Sequence, residues 1–181
     1  MRERIYLVGY RGTGKSTVGP LLAKKLGWLF QDADADFESR HALTIRDCFA
    51  LYGESGFRDR ETECLRHLSR SVHAVIATGG GIILREENRK LLRETGFIAW
   101  LEANVETIEA RINADPSTNE RRPNLQNGGV EEIREMLAFR EPFYEEIAQI
   151  RISTDALFPE QACDAILEAW NGTPSSSKFF S

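Results

Sequence analysis

Gly9-Tyr10-Arg11-Gly12-Thr13-Gly14-Lys15-Ser16-Thr17 follows directly on a short apolar run, Ile5-Tyr6-Leu7-Val8. Gly9, Gly14, Lys15 and Ser16 fill the pattern G-x-x-x-x-G-K-[ST], a phosphate cradle set between a strand and a helix. Glycines allow backbone N–H groups to approach a polyphosphate without a Cβ in the way. The helix starting near Lys15 adds its unpaired N–H groups and the positive end of its dipole. Lys15 then neutralises β- and γ-phosphate oxygens, and the Ser16 hydroxyl suits Mg²⁺. A plain glycine-rich turn is the alternative, but it leaves the Lys-Ser pair without a role.

Outward from the cradle, short apolar runs alternate with helical periodicity. Val18, Leu21, Leu22 and Leu26 give a helix closed by Gly27, with Pro20 inside it at a position that costs an amide donor. The spacing predicts strands over 28–31, 74–77, 97–101 and 150–153. It predicts helices from Thr44 to Gly53, from about Gly56 to Ser69, over 86–94, from an Asn104 cap through Ile112, over 130–147 with a bend at Pro142, and over 161–170. Such alternation implies an open parallel α/β sheet with helices on both faces, and ligands at the strands' C-terminal ends. That rule puts the cradle, the acidic run Asp32-Ala33-Asp34-Ala35-Asp36, Gly79-Gly80-Gly81, and the loop after the helix that follows strand 97–101 on one rim.

The chain has 181 residues and a formal charge of −5, from 23 Lys and Arg against 28 Asp and Glu. This length suits one domain, and the acidic balance argues against a nucleic-acid groove. Cys48, Cys64 and Cys163 stand far apart, so neither a disulfide framework nor a zinc site is expected. The sequence shows neither a signal-peptide core nor a run long enough to span a bilayer, from which a cytoplasmic setting is expected. Residues 1–170 read as the single domain, with a polar loop at 113–129 and a disordered tail at 171–181.

If the strand continues through Asp32 and Asp34, their carboxylates point the same way, one to a metal and the other to an acceptor hydroxyl. Asp36 reads instead as an acidic residue favoured by the dipole of the next helix. Arg58 and Arg140, each taken alone, read as solvated helix charges. Arg121-Arg122-Pro123 lies in the polar loop, either as a solvated arginine pair or as a closing lid that brings positive charge to a transferring phosphoryl group.

The chain closely resembles the shikimate kinase family along roughly residues 4 to 170. The resemblance rests on Gly9 to Thr17, Asp32-Ala33-Asp34, Gly53-Glu54 with Phe57-Arg58 and Glu61, Gly79-Gly80-Gly81, Arg122-Pro123 and Arg140-Glu141-Pro142-Phe143-Tyr144. It implies a P-loop, nucleoside monophosphate kinase-like fold: a three-layer α/β/α domain with a central parallel five-stranded sheet and a mobile lid. The activity it implies is transfer of the ATP γ-phosphoryl group to the 3-hydroxyl of shikimate. The resemblance assigns Gly12, Thr13, Gly14, Lys15, Ser16, Thr17 and Arg122 to ATP, and Ser16 with Asp32 to Mg²⁺. It assigns Asp34, Arg58, Gly79, Gly80, Gly81 and Arg140 to shikimate, with Lys15, Asp34 and Arg122 in the catalytic roles. Two arginines and one aspartate match a ring with one carboxylate and several hydroxyls. Where the family commonly continues its lid as Arg-Pro-Leu-Leu, this chain has Arg122-Pro123-Asn124-Leu125. Where the family often has an adenine-contacting arginine, it has Thr154-Asp155-Ala156-Leu157-Phe158-Pro159, with Arg111 as an alternative stacking group. The other readings are a gluconate-type small-molecule kinase and a nucleotide-binding module without turnover. A monomer is expected.

Overall fold

The computed structural model describes residues 3–114 and 129–172. Strand β1 (Arg4–Val8) leads into α1 (Lys15–Leu26), then β2 (Leu29–Asp32), α2 (Ala33–His41) and α3 (Ile45–Leu68). Strand β3 (Ala74–Ala77) is followed by a 3₁₀ turn over Ile82–Leu84, α4 (Glu86–Thr95), β4 (Phe97–Glu102) and α5 (Val105–Ala114). The chain resumes with α6 (Gly129–Ile147), β5 (Ile150–Ser153) and α7 (Pro159–Gly172). The lid residues Arg121, Arg122, Pro123, Asn124 and Leu125, most of the polar loop, and the tail beyond Gly172 lie outside the described residues.

Five strands pair in parallel in the order β2-β3-β1-β4-β5. Parallel strands covered on both faces bury every side chain, which is why β1, β3 and β4 are almost unbroken apolar runs. Alternation along β1 divides the core in two. Ile5 and Leu7 face Val18, Leu22, Ala162 and Ile166 from α1 and α7. Tyr6 and Val8 face Leu65, Leu68, Leu92, Tyr144 and Ile147 from α3, α4 and α6. The connection leaving β1 runs to β2 on one side and the connection leaving β3 crosses to β4 on the other, so the crevice of an open α/β sheet opens at the C-terminal end of β1, the switch point. The cradle is the loop that leaves this end.

Three expectations change. Asp32 does not continue a strand into Asp34: its Oδ1 accepts the amides of Asp34 (3.0 Å) and Ala35 (3.1 Å) and caps α2. Capping is the preferred use of an aspartate where a strand gives way to a helix, so the two carboxylates do not share a strand face. Helix α2 itself escapes periodicity because Phe37 is the one residue in it that is buried. The two helices expected around Gly53 are one element, α3, kinked where Gly53 adopts φ 67°, ψ −175°. Elsewhere Thr44 caps α3 and Asn104 caps α5 as expected, through bonds to the Asp47 and Thr107 amides. Pro20 lies on the exposed side of α1, and nothing in the structure explains it.

Candidate active site

The cradle is held open from behind. A Cβ on Gly9, whose φ is +142°, would lie 2.1 Å from the Leu101 carbonyl oxygen, so the loop meets β4 at a distance only glycine permits. The Thr13 hydroxyl, buried, donates to the Tyr10 carbonyl (2.7 Å) and closes the loop on itself. Lys15 Nζ donates to the Gly9 (2.8 Å) and Tyr10 (2.7 Å) carbonyls, which keeps the ammonium against the loop rather than in open solvent. Gly14 caps α1 in the left-handed region, so the helix starts at Lys15 with its first amides at the loop's mouth.

These residues open on a cleft of about 620 Å³. Gly12, Gly14, Lys15, Ser16 and Thr17 line it together with Asp32, Asp34, Gly79 and Gly80. Nine of the residues assigned to ATP, Mg²⁺ or shikimate from sequence thus line one cleft. Thr13, Arg58, Gly81 and Arg140 do not line it, and Arg122 is outside the described residues.

On the β5 side of the cleft, Arg111 reaches from α5 to the Gly12 carbonyl (3.1 Å), the Thr154 hydroxyl (2.9 Å) and the Thr154 carbonyl (2.8 Å). The Thr154 hydroxyl also lies within hydrogen-bonding distance of the Thr13 (3.2 Å) and Glu102 (3.0 Å) carbonyls, so the end of β5 is tied to the cradle. Arg111, Leu157 and Pro159 form this part of the cleft wall. Partial burial pushes the neighbouring Asp155 carboxyl up, but the Asn104 amide, bonds from Thr107 and Ser153, and the Arg111 charge outweigh it and hold it below the usual carboxylate range.

On the opposite side, Asp34 and Gly79 also border a small cavity walled by Phe37, Phe57, Glu61 and Cys64. Arg58 is not a solvated helix charge. It is 9% exposed, pairs with Glu61 (2.7 Å) and Glu54 (3.3 Å), and presses against the glycine turn so closely that a Cβ on Gly81 would lie 2.5 Å from its Nη1. Helix α3 is kinked at Gly53, ahead of Arg58, and the adjoining Phe57 is buried in a cluster with Phe37, Ile45, Cys48 and Cys64. Arg140 departs from the solvated reading too: its guanidinium lies 5.3 Å from the centre of the Tyr10 ring. The Nε atoms of both Arg58 and Arg140 are buried with no hydrogen-bond partner among the described residues. A buried guanidinium N–H without an acceptor is costly, and one against the glycine turn, at Arg58, and another over the Tyr10 ring, at Arg140, suit an anionic ligand with planar oxygens.

Gly80 is packed on the cradle itself, since a Cβ there would come 3.3 Å from the Gly9 carbonyl oxygen. Its own carbonyl accepts the buried Tyr144 hydroxyl (2.7 Å). Sequence reasoning gave neither Tyr144 nor Thr154 a task. The available signals were slight: a hydroxyl-bearing aromatic one helical turn after Arg140, and a threonine at the rim end of a buried strand. Among the described residues no three His, Cys, Asp or Glu side chains form a metal cage. Ser16 and Asp32, which line the same cleft as Lys15, offer the hydroxyl and carboxylate that a cation arriving with a polyphosphate needs.

The shikimate kinase family pattern matches residues 11–171. A shikimate kinase from Rhodopirellula baltica is 40% identical over 175 residues, covering 96% of this chain and 92% of that protein. One from Symbiobacterium thermophilum is 42% identical over 165 residues, covering 91% and 94%. Among solved structures, shikimate kinase from Acinetobacter baumannii in complex with shikimate superposes with a TM-score of 0.86 at 36% identity, over 98% of this chain and 96% of that one. A gluconokinase from Sinorhizobium meliloti shares the fold alone, with a TM-score of 0.58 at 15% identity over 94% and 92% of the two chains. With the cradle, glycine turn and arginine pair arranged in this way, and with matches of this length, the chain belongs to the shikimate kinase family.

Proposed function

We propose that this protein transfers the γ-phosphoryl group of ATP to the 3-hydroxyl of shikimate, giving ADP and shikimate 3-phosphate. The observation that carries this reading is that the Nε atoms of Arg58, pressed against the glycine turn, and of Arg140, over Tyr10 of the cradle, are both buried without an acceptor among the described residues. Shikimate has one carboxylate to meet that pair and ring hydroxyls to meet Asp34. Arg58, already oriented by Glu61, clamps the carboxylate with Arg140, and Gly79, Gly80 and Gly81 bring backbone against the ring.

In the reaction the 3-hydroxyl oxygen forms a bond to Pγ as the Pγ–O bond to the β-phosphate breaks, and the hydroxyl proton leaves to Asp34 or to solvent. A loose transition state needs little base strength, so Asp34 acts first by orienting the hydroxyl. Lys15 moves from its loop carbonyls onto the phosphate oxygens, and the amides of Gly12 to Thr17 hold the remaining charge. Mg²⁺, when bound, would be held by Ser16 and, through water, by Asp32, and would supply charge neutralisation on the transferring phosphates. Arg122 is assigned to the lid, where its charge joins that of Lys15. We assign the enzyme to the cytoplasm as a monomer; among the described residues no helix is long and apolar enough to cross a membrane.

The reading is tested by Arg58→Ala. Loss of a charged bidentate contact is expected to raise the KM for shikimate at least tenfold while the KM for ATP stays within about twofold. A double Arg58→Ala, Arg140→Ala variant that phosphorylates shikimate with wild-type KM would overturn it, and an acceptor panel including gluconate distinguishes the neighbouring chemistry.

A further inference from the structure

We infer that Tyr144 is a positioning residue for the acceptor: its hydroxyl sets the orientation of the glycine turn and, through it, the backbone donors offered to shikimate. The inference rests on the acceptor pocket proposed above and deepens it. Tyr144 is 1% exposed, and its O–H donates to the Gly80 carbonyl at 2.7 Å. Its ring stacks on Trp100 of β4, with centroids 5.5 Å apart and planes at 21°, so the phenol is fixed from behind.

The peptide plane makes this bond directional. In a trans peptide the carbonyl of one residue and the N–H of the next point in opposite directions, and no described peptide is cis. The Gly79 carbonyl accepts the Ile82 amide (3.1 Å), which turns the Gly80 N–H the other way. The Gly80 carbonyl is held by Tyr144, which turns the Gly81 N–H away from α6. Only the first of these anchors belongs to the turn itself; the second comes from α6. Gly80 also lies against the cradle, where a Cβ would meet the Gly9 oxygen at 3.3 Å and the Arg11 nitrogen at 3.5 Å. Arg140, one helical turn before Tyr144 on α6, sits over the Tyr10 ring. One helix therefore carries both Arg140 and the strut on the glycine turn, so a displacement of α6 shifts both relative to the cradle.

Tyr144→Phe keeps the ring and its stacking on Trp100 and removes only the strut. The expected result is a KM for shikimate raised about five- to tenfold, with the KM for ATP within about twofold and the melting temperature lowered by less than about 5 °C. A merely structural tyrosine would lower the melting temperature and leave the two KM values in their wild-type ratio, and that result overturns the inference. Arg140→Ala measured alongside separates the two claims. If Arg140→Ala raises the KM for shikimate and Tyr144→Phe does not, the positioning role fails and the acceptor pocket stands. If Arg140→Ala leaves it unchanged, the pocket itself is misplaced and the inference falls with it.

Discussion

Gly9 shows how narrow the tolerance at single residues is. An alanine there meets backbone, the Leu101 carbonyl oxygen at 2.1 Å, rather than a side chain that can turn aside. Gly9→Ala is therefore expected to destabilise the fold by at least about 3 kcal/mol, read as a fall in the urea midpoint, before any effect on phosphate binding. Thr154 acts more gently. Thr154→Val keeps the shape and removes the hydroxyl that Arg111 and the cradle share, so the KM for ATP should rise about three- to tenfold with the KM for shikimate nearly unchanged. An unchanged KM for ATP would mean that the tie between β5 and the cradle has no part in nucleotide binding. The residues that sequence could place were those whose chemistry is tied to a local pattern, as with Lys15 after Gly14. Arg58 and Arg140 looked like ordinary helix charges because their burial is decided by what packs over them, the glycine turn and Tyr10, from distant parts of the chain.

Elements were legible where one physical period dominated. The buried strands β1, β3 and β4 announce themselves as apolar runs, and the caps Thr44 and Asn104 mark where α3 and α5 begin. Asn104→Ala should cost about 1 kcal/mol of unfolding free energy, since it exposes the Thr107 amide at the first turn of α5. Helix α2 was marked only by Asp36, read as an acidic residue at the start of the next helix and found in the first turn of α2; its extent escaped because it buries little beyond Phe37 and depends on the cap from Asp32. The kink in α3 is a glycine-specific feature: φ 67° with ψ −175° is a region that side-chain-bearing residues enter at a cost of about 1–3 kcal/mol. Gly53→Ala is accordingly predicted to lower stability by that amount and, because the kink aims Arg58, to raise the KM for shikimate as well. Wild-type values for both would show that the kink is tolerant and does not aim the arginine.

For the molecule as a whole, parallel order and the switch point at β1 explain why residues following β1, β2, β3 and β5 meet at one cleft, and this much follows from strand alternation before any side chain is placed. Stability should carry an alkaline limb from the buried thiols. Burial, reinforced by the Asp36 charge, pushes Cys64 from the ordinary thiol value of 9.0 up to about 11. The unfolded chain then loses this proton first, so the contribution is complete below about pH 9 and disappears as pH rises through about 11. The urea midpoint of the wild type should fall over that window, and less steeply in Cys64→Ala; identical slopes would remove Cys64 as a source. The central claim, that the cradle is the donor half of a two-substrate site, has a more direct test: formation of shikimate 3-phosphate and ADP from shikimate and MgATP by the wild type and by Lys15→Met, measured side by side. The account predicts equimolar products with the wild type and a rate at least about 10³-fold lower with Lys15→Met. Equal rates from the two proteins, or ADP formation by the wild type that does not depend on shikimate, would contradict it.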